Sequence, residues 1–188
     1  MESSEQEVKN DSPSMPRRWV IILIFAVMLA FLALLGWGLK NAQQGPITVG
    51  QRVPDFSMTT FDGKTYNTQD LKGKVVVLNF WASWCKPCEQ EAAEIEEAWR
   101  YYKDTDQVIF LGIDYVDTET EAREYLNKFD ITYPNGPDMR TAISQLFRIR
   151  GVPETYVIDR QGNLAAIQIG PYSSLTEIQT MIDSVLNQ

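Results

Sequence analysis

The chain has no histidine and only two cysteines among its 188 residues. Without histidine it lacks the usual general base, the commonest metal ligand and any histidine ligation of haem, so proton handling falls to carboxylates, lysines or thiols. With no third cysteine, one chain cannot complete a four-ligand zinc site; only a dimer sharing two cysteine pairs could. A basic excess is also missing. The formal net charge is -8; residues 1–40 balance four basic against four acidic residues, so the whole excess, 13 basic against 21 acidic, falls on 41–188. An acidic domain has no electrostatic footprint for nucleic acid, and its charge reads as serving solubility, with an acidic docking face as the alternative. Internal repeats are absent. The 44% hydrophobic content is that of a globular chain, and with one apolar segment set aside the remainder suffices for a single domain with its own core.

That apolar segment is Trp19 to Leu39, 21 residues without a charge. At about 1.5 Å per residue it spans the roughly 30 Å hydrocarbon core of a bilayer, and Trp19 and Trp37 suit the two interfacial aromatic belts. Arg17 and Arg18 precede it and Lys40 alone follows, which places the N-terminus in the cytoplasm and the rest of the chain outside. A cleaved signal peptide is the rival, but the run is longer than the usual stretch of about 7–15 residues. Lys40-Asn41-Ala42 is not a small-x-small cleavage site, and no lipobox cysteine is present. The expected organisation is a disordered cytoplasmic tail over 1–18, a single-pass cell-membrane anchor over 19–39, a tether over 40–48 around Gly45-Pro46, and a domain over 49–188.

Both cysteines lie in one stretch. Val75 to Trp81 is an apolar run that breaks at Ala82-Ser83 into Trp84-Cys85-Lys86-Pro87-Cys88 and then enters a helical pattern. A buried strand followed by Cys-x-x-Cys and a helix puts the first sulfur at a helix N-terminus, where unpaired N–H groups and the macrodipole favour a thiolate. Lys86 adds positive charge beside Cys85, and Pro87 fits the first helical turn. Such a pair cycles between dithiol and disulfide, with Cys85 attacking and Cys88 resolving. The competing readings are a structural disulfide and two inert core thiols. The first closes a loop so short that it stabilises by only about 2 kcal/mol, and the second has no use for the Trp-Cys-x-Pro-Cys frame.

The remaining pattern alternates strand and helix. Asp55–Thr60 and Thr65-Tyr66 read as a hairpin turned by Asp62-Gly63. Lys74–Trp81 and Val108–Ile113 read as strands covered on both faces, Cys88–Tyr102 as a helix, and Thr118–Phe129 as a helix with a Thr118/Glu121 capping box. Residues 133–138 read as a turn-rich connection and Met139–Phe147 as a short helix. Tyr156–Asp159 and Leu164–Ile169 make a second hairpin, and Ser174–Leu186 an amphipathic helix with Leu175, Ile178, Ile182 and Val185 inward.

Phe80 to Cys88 resembles the active-site segment of the thioredoxin superfamily, in particular the membrane-tethered extracytoplasmic branch of TlpA, ResA and CcmG (DsbE) proteins. The likeness extends over Val49–Gln188, with Val53-Pro54-Asp55-Phe56 at the usual entry and Gly151-Val152-Pro153-Glu154-Thr155 at the cis-proline loop. It implies an α/β thioredoxin-like fold, with a central mixed sheet flanked by helices and an N-terminal β-hairpin extension. It also implies a redox-active Cys85–Cys88 disulfide and a cis Val152–Pro153 bond, with Val152, Pro153 and Glu154 beside the substrate. Trp84, Lys86, Pro87 and Asn79 form the surroundings, Asn79 standing where cytosolic thioredoxins carry a buried Asp. Glu91, three residues after Cys88 on the same helical face, or Glu154, then handles the proton; a solvent-facing Glu91 and a surface Glu154 are the plainer alternatives. No cofactor is implied. The implied activity is thiol–disulfide exchange, foremost the reduction of the Cys-x-x-Cys-His segment of an apocytochrome c with electrons from a membrane thiol carrier of the DsbD or CcdA kind. An oxidase or isomerase would use the same residues in the other direction. A non-catalytic assembly or metal-delivery module is the reading from another class, but copper-carrying relatives use Cys-x-x-x-Cys with a distal histidine, and this chain has neither.

Overall fold

The structure, a computed structural model, describes residues 17–42 and 45–188. The expected tail lies outside the described residues up to position 16. The described chain forms two units, an N-terminal helix and a compact unit of Gly45–Gln188. Helix α1 (Arg17–Ala42) contains one stretch, Arg18–Leu39, long and apolar enough to cross a membrane. The second unit begins earlier than the sequence pattern placed the domain: Ile47 packs against the core, and the Arg148 guanidinium donates to the Gly45 carbonyl at 3.0 Å.

The compact unit is built on β3 (Val75–Trp81), in which all seven residues are buried. A strand covered on both faces has no solvent side, which is why its sequence shows no polar alternation. It pairs in parallel with β4 (Val108–Asp114) and antiparallel with β6 (Glu154–Ile158). Outside these lie β5 (Asn135–Pro137), parallel to β4, and β7 (Leu164–Ile169), antiparallel to β6, giving the order β5-β4-β3-β6-β7. A separate hairpin of β1 (Ser57–Thr59) and β2 (Thr65–Asn67) turns through Asp62-Gly63, with Gly63 at φ +86. A mixed sheet with an N-terminal hairpin is the arrangement the resemblance implies.

Strand alternation then sorts the core into two layers. Val76, Leu78 and Phe80 face a cluster with Met58 of the hairpin, Phe147 and Tyr156. Val75 and Val77 face the other way, toward Ile95 and Ala98 of α2 (Lys86–Tyr102) and Ile178, Ile182 and Val185 of α5 (Leu175–Leu186). Helix α3 (Glu119–Lys128) is entered through the expected capping box, Thr118 and Glu121 each holding the other's backbone N–H. Its Ala122 and Tyr125 close a third cluster with Trp81, Ala82 and both cysteines.

Three local expectations are corrected. Residues 135–137 form a strand, because the Gly112 N–H donates to the Pro134 carbonyl and the Phe61 N–H from the hairpin covers Asn135 on the outer side. Gly112 is required there: a Cβ would collide with the Asn135 side chain, which accepts the buried Trp81 indole N–H at 2.8 Å. The helix over 139–147 is broken, with Arg140 and Thr141 at φ +58 and +56 and only Ala142–Phe147 forming α4. The Asp138 carboxylate compensates by accepting the Ile143 and Ser144 N–H groups, each at 2.8 Å. Finally, α2 starts at Lys86 instead of Cys88, and its outer face is not wholly solvated. Glu96 is buried, accepting from Thr132 N (2.7 Å), Thr132 Oγ1 (2.6 Å) and Arg100 Nε (2.6 Å).

Candidate active site

Cys85 is the N-cap of α2. Its backbone is extended, its N–H donates to the Ala82 carbonyl at 3.1 Å, and its Sγ accepts the Cys88 N–H at 3.1 Å. The sulfur thus takes the place an N-cap oxygen usually fills, and the helix offers it both an N–H donor and the positive end of the dipole. Cys85 and Cys88 form a disulfide, Cα to Cα 5.3 Å. Both residues are buried, while Trp84, Lys86 and Pro87 around them are exposed and Val152 packs against their cluster half-buried. The Val152–Pro153 peptide is cis, as the resemblance implies.

Lys86 stands beside Cys85, but its ammonium engages Glu89 at 3.2 Å, and Glu89 is also held by Lys128 at 3.1 Å. These two lysines keep the Glu89 carboxyl below its ordinary range. The positive charge expected next to the sulfur is therefore largely matched by Glu89.

The second set of groups lies beneath the disulfide. Glu91 is 1% exposed and sits on the face of α2 that also buries Cys88. One of its oxygens accepts Asn79 Nδ2–H at 3.1 Å and the other accepts the Tyr172 N–H at 2.8 Å. Asn79 also donates to Thr155 Oγ1 at 3.0 Å, so the amide that stands in for the thioredoxin acid ties β3 to β6 and to α2. Burial pushes the Glu91 carboxyl up to about 7; the Tyr172 and Asn79 donors oppose this, and Glu94 and Glu177 add to it. A solvent-facing Glu91 is thereby ruled out.

Glu154 is corrected on both expectations, since it is neither a surface acid nor substrate-facing. It is 2% exposed, accepts the Arg150 N–H at 2.8 Å and the Tyr156 hydroxyl at 2.6 Å, and shares a strand face with Tyr156. Thr155, one residue on, faces Asn79 and Glu91, so Glu154 points to the opposite side of the sheet. It lines a cleft of about 290 Å³ with Arg148, Arg150 and Ile167, away from the Cys88 face.

Sequence reasoning missed the β4–α3 connection. Asp117 accepts the Ser83 N–H at 2.6 Å and the Ser83 hydroxyl at 2.8 Å, and the Trp84 indole donates to the Val116 carbonyl at 3.2 Å. These contacts hold the loop that leads into Cys85. The only hint in the sequence is an Asp before a helix cap, which is common wherever helices begin.

The profile of the AhpC/TSA family matches residues 49–167, which include both cysteines and the cis-proline loop. The chain is 31% identical to the thioredoxin-like protein YneN of Bacillus subtilis (strain 168), over 83% of this chain and 92% of that one. It is 30% identical to the thiol-disulfide oxidoreductase ResA of Bacillus anthracis, over 81% of this chain and 86% of the other. Among solved structures, a thioredoxin-family thiol:disulfide interchange protein from Chlorobium tepidum TLS superposes with a TM-score of 0.66 at 27% identity, covering 77% of this chain and 99% of that one. Fold, cysteine pair and relatives agree, and the chain belongs to the AhpC/TSA family, in its thioredoxin-like, thiol–disulfide oxidoreductase company.

Proposed function

We propose that this chain is a membrane-anchored thiol–disulfide oxidoreductase that reduces protein disulfides outside the cytoplasm. The observation that carries the reading is the Cys85–Cys88 pair at the N-terminus of α2, with Cys85 Sγ accepting a helix N–H. In the reduced protein that N–H and the dipole stabilise a thiolate on Cys85. The thiolate attacks one sulfur of a substrate disulfide and expels the other as a thiolate, leaving a mixed disulfide. Cys88 then attacks Cys85 Sγ, releasing the second substrate sulfur and closing the disulfide. Two electrons pass to the substrate and two protons follow them.

Glu91 is the proposed acceptor of the Cys88 proton. It lies one turn further along the same buried face, and its raised affinity for a proton matches a thiol near neutral pH. Trp84 and Pro87, exposed beside the cysteines in the chain, and Val152, packed against their cluster, are the proposed substrate contacts; Pro153, itself buried, is proposed to present Val152 through the cis peptide. The 22-residue apolar stretch Arg18–Leu39 serves as the anchor, and the arginines on its N-terminal side favour a cytoplasmic N-terminus. A reductant on the oxidising side of a membrane needs a supply of electrons, for which a membrane thiol carrier of the DsbD or CcdA kind is proposed. The proposed substrate is the Cys-x-x-Cys-His segment of an apocytochrome c, as the resemblance of the active-site segment implies.

The equilibrium reduction potential of the Cys85–Cys88 pair against a dithiothreitol or glutathione buffer tests the direction. A value near or below about -270 mV supports a reductant, and one near about -120 mV would make the chain a disulfide donor and end the cytochrome c reading.

A further inference from the structure

Asp114, the last residue of β4, is 2% exposed. One of its carboxyl oxygens, Oδ1, has no hydrogen-bond partner among the described residues, yet the group is within hydrogen-bond reach of the Asp117 carboxylate. Asp117 spends both oxygens on Ser83, one on its N–H and one on its hydroxyl. Two carboxylates accept but do not donate, so this contact is favourable only with a proton between them. Ser83 is two residues before Cys85. The same connection receives the Trp84 indole on the Val116 carbonyl, with Val116, a β-branched residue, at φ +51. That backbone conformation is costly for valine and persists only where its surroundings fix it.

We propose that Asp114 is a positioning residue for the exchange site: the proton it shares with Asp117 fixes Asp117 on Ser83 and so sets the loop that presents Cys85. The inference rests on the exchange chemistry proposed above and adds to it a control on loop geometry. The charged groups that act most on Asp114 are acidic: Asp117 from its own connection, Asp138 from the segment after β5, and Glu121 from α3, while β3 offers Trp81 in register. Burial first, and then these carboxylates, hold the Asp114 carboxyl up at about 8. Below that pH the pair is bridged. Above it the buried Asp114 carboxylate repels the half-buried Asp117 carboxylate, Asp117 leaves Ser83, and the Ser83–Trp84 turn relaxes. Asp114→Asn keeps a donor toward Asp117 at every pH and imitates the protonated form.

The test uses the full chain in detergent. In oxidised, ¹⁵N-labelled protein the Trp84 indole N–H resonance, assigned with Trp84→Phe, is followed from pH 6 to 9.5. The wild type is expected to show an inflection near 8 that Asp114→Asn removes. In the reduced proteins, the rate of insulin disulfide reduction is compared over the same range. The wild-type to Asp114→Asn ratio is expected to fall roughly tenfold from pH 6.5 to 9, well within the cost of a small misplacement of reacting groups. A wild-type Trp84 resonance without an inflection overturns the inference whether or not Asp114→Asn folds. A rate ratio flat in pH overturns it as well. If neither protein reduces insulin at any pH, the exchange reading falls while the resonance still decides the link between Asp114 and the loop.

Discussion

Glu91→Gln separates the two consequences of burying a carboxyl beneath the cysteine pair. The carboxyl is lifted from 4.5 to about 7, chiefly by burial. The folded state therefore binds this proton more tightly than the unfolded chain, and stability is lost as pH rises from about 4.5 to about 7, with the whole loss in place above that. At about 1.4 kcal/mol per pH unit the loss is about 3 kcal/mol. Glutamine does not titrate, but it has one acceptor oxygen where Glu91 meets two donors, Asn79 Nδ2–H and Tyr172 N–H. One donor is left against the amide nitrogen, at a cost of about 1–3 kcal/mol at every pH. The variant should thus be about 1–3 kcal/mol less stable than wild type at pH 4.5, and equal or more stable at pH 8.5. Urea unfolding of the oxidised Gly45–Gln188 unit at several pH values reads this directly. Using oxidised protein removes thiol titration, and the other buried acids cancel in the difference. A gap constant within about 1 kcal/mol across the range would refute the raised Glu91 affinity, and the proposed route for the Cys88 proton with it.

Cys88→Ser should trap a mixed disulfide between Cys85 and a substrate, visible by mass spectrometry as an adduct that dithiothreitol releases, whereas Cys85→Ser should form none. Asn135→Ala deprives the buried Trp81 indole N–H of its acceptor and should cost about 1–3 kcal/mol in urea unfolding, with fluorescence reporting on Trp81. Asp114→Asn should gain stability relative to wild type as pH rises from about 4 to about 8 and no further above that, because the wild-type carboxyl must release its proton against burial; thermal unfolding at pH 6 and 9 checks the sign.

What could be read in the sequence is decided by how far each residue's partner lies along the chain. Cys85 with Cys88 and Thr118 with Glu121 are partners three residues apart, and both pairings follow from local spacing. The apolar runs of β3 and β4 are likewise self-evident, since continuous burial leaves no polar position to misread. The strand at 135–137 is hidden because it consists of Asn, Gly and Pro, and it becomes a strand only through Gly112 on one side and the hairpin residue Phe61 on the other.

The burial of Glu96 is hidden for the same reason, whereas a spacing of three already places Glu91 on the Cys88 face and only its partners are hidden. Glu96 takes two of its three donors from Thr132, 36 residues away, and Glu91 takes one from Tyr172, 81 residues away. Helical periodicity counts an acid as solvent-facing unless something local says otherwise. Arg100 beside Glu96 reads as an ordinary surface pair, and the other donors that make these burials tolerable come from chain segments that meet α2 only in the folded state. The sulfur chemistry of this site and its candidate proton acceptor are therefore written in one stretch of sequence, while the donors that hold that acceptor are not. Two chains with the same Trp-Cys-x-Pro-Cys segment will differ in how they move the Cys88 proton according to what they carry at positions such as Glu91 and Asn79.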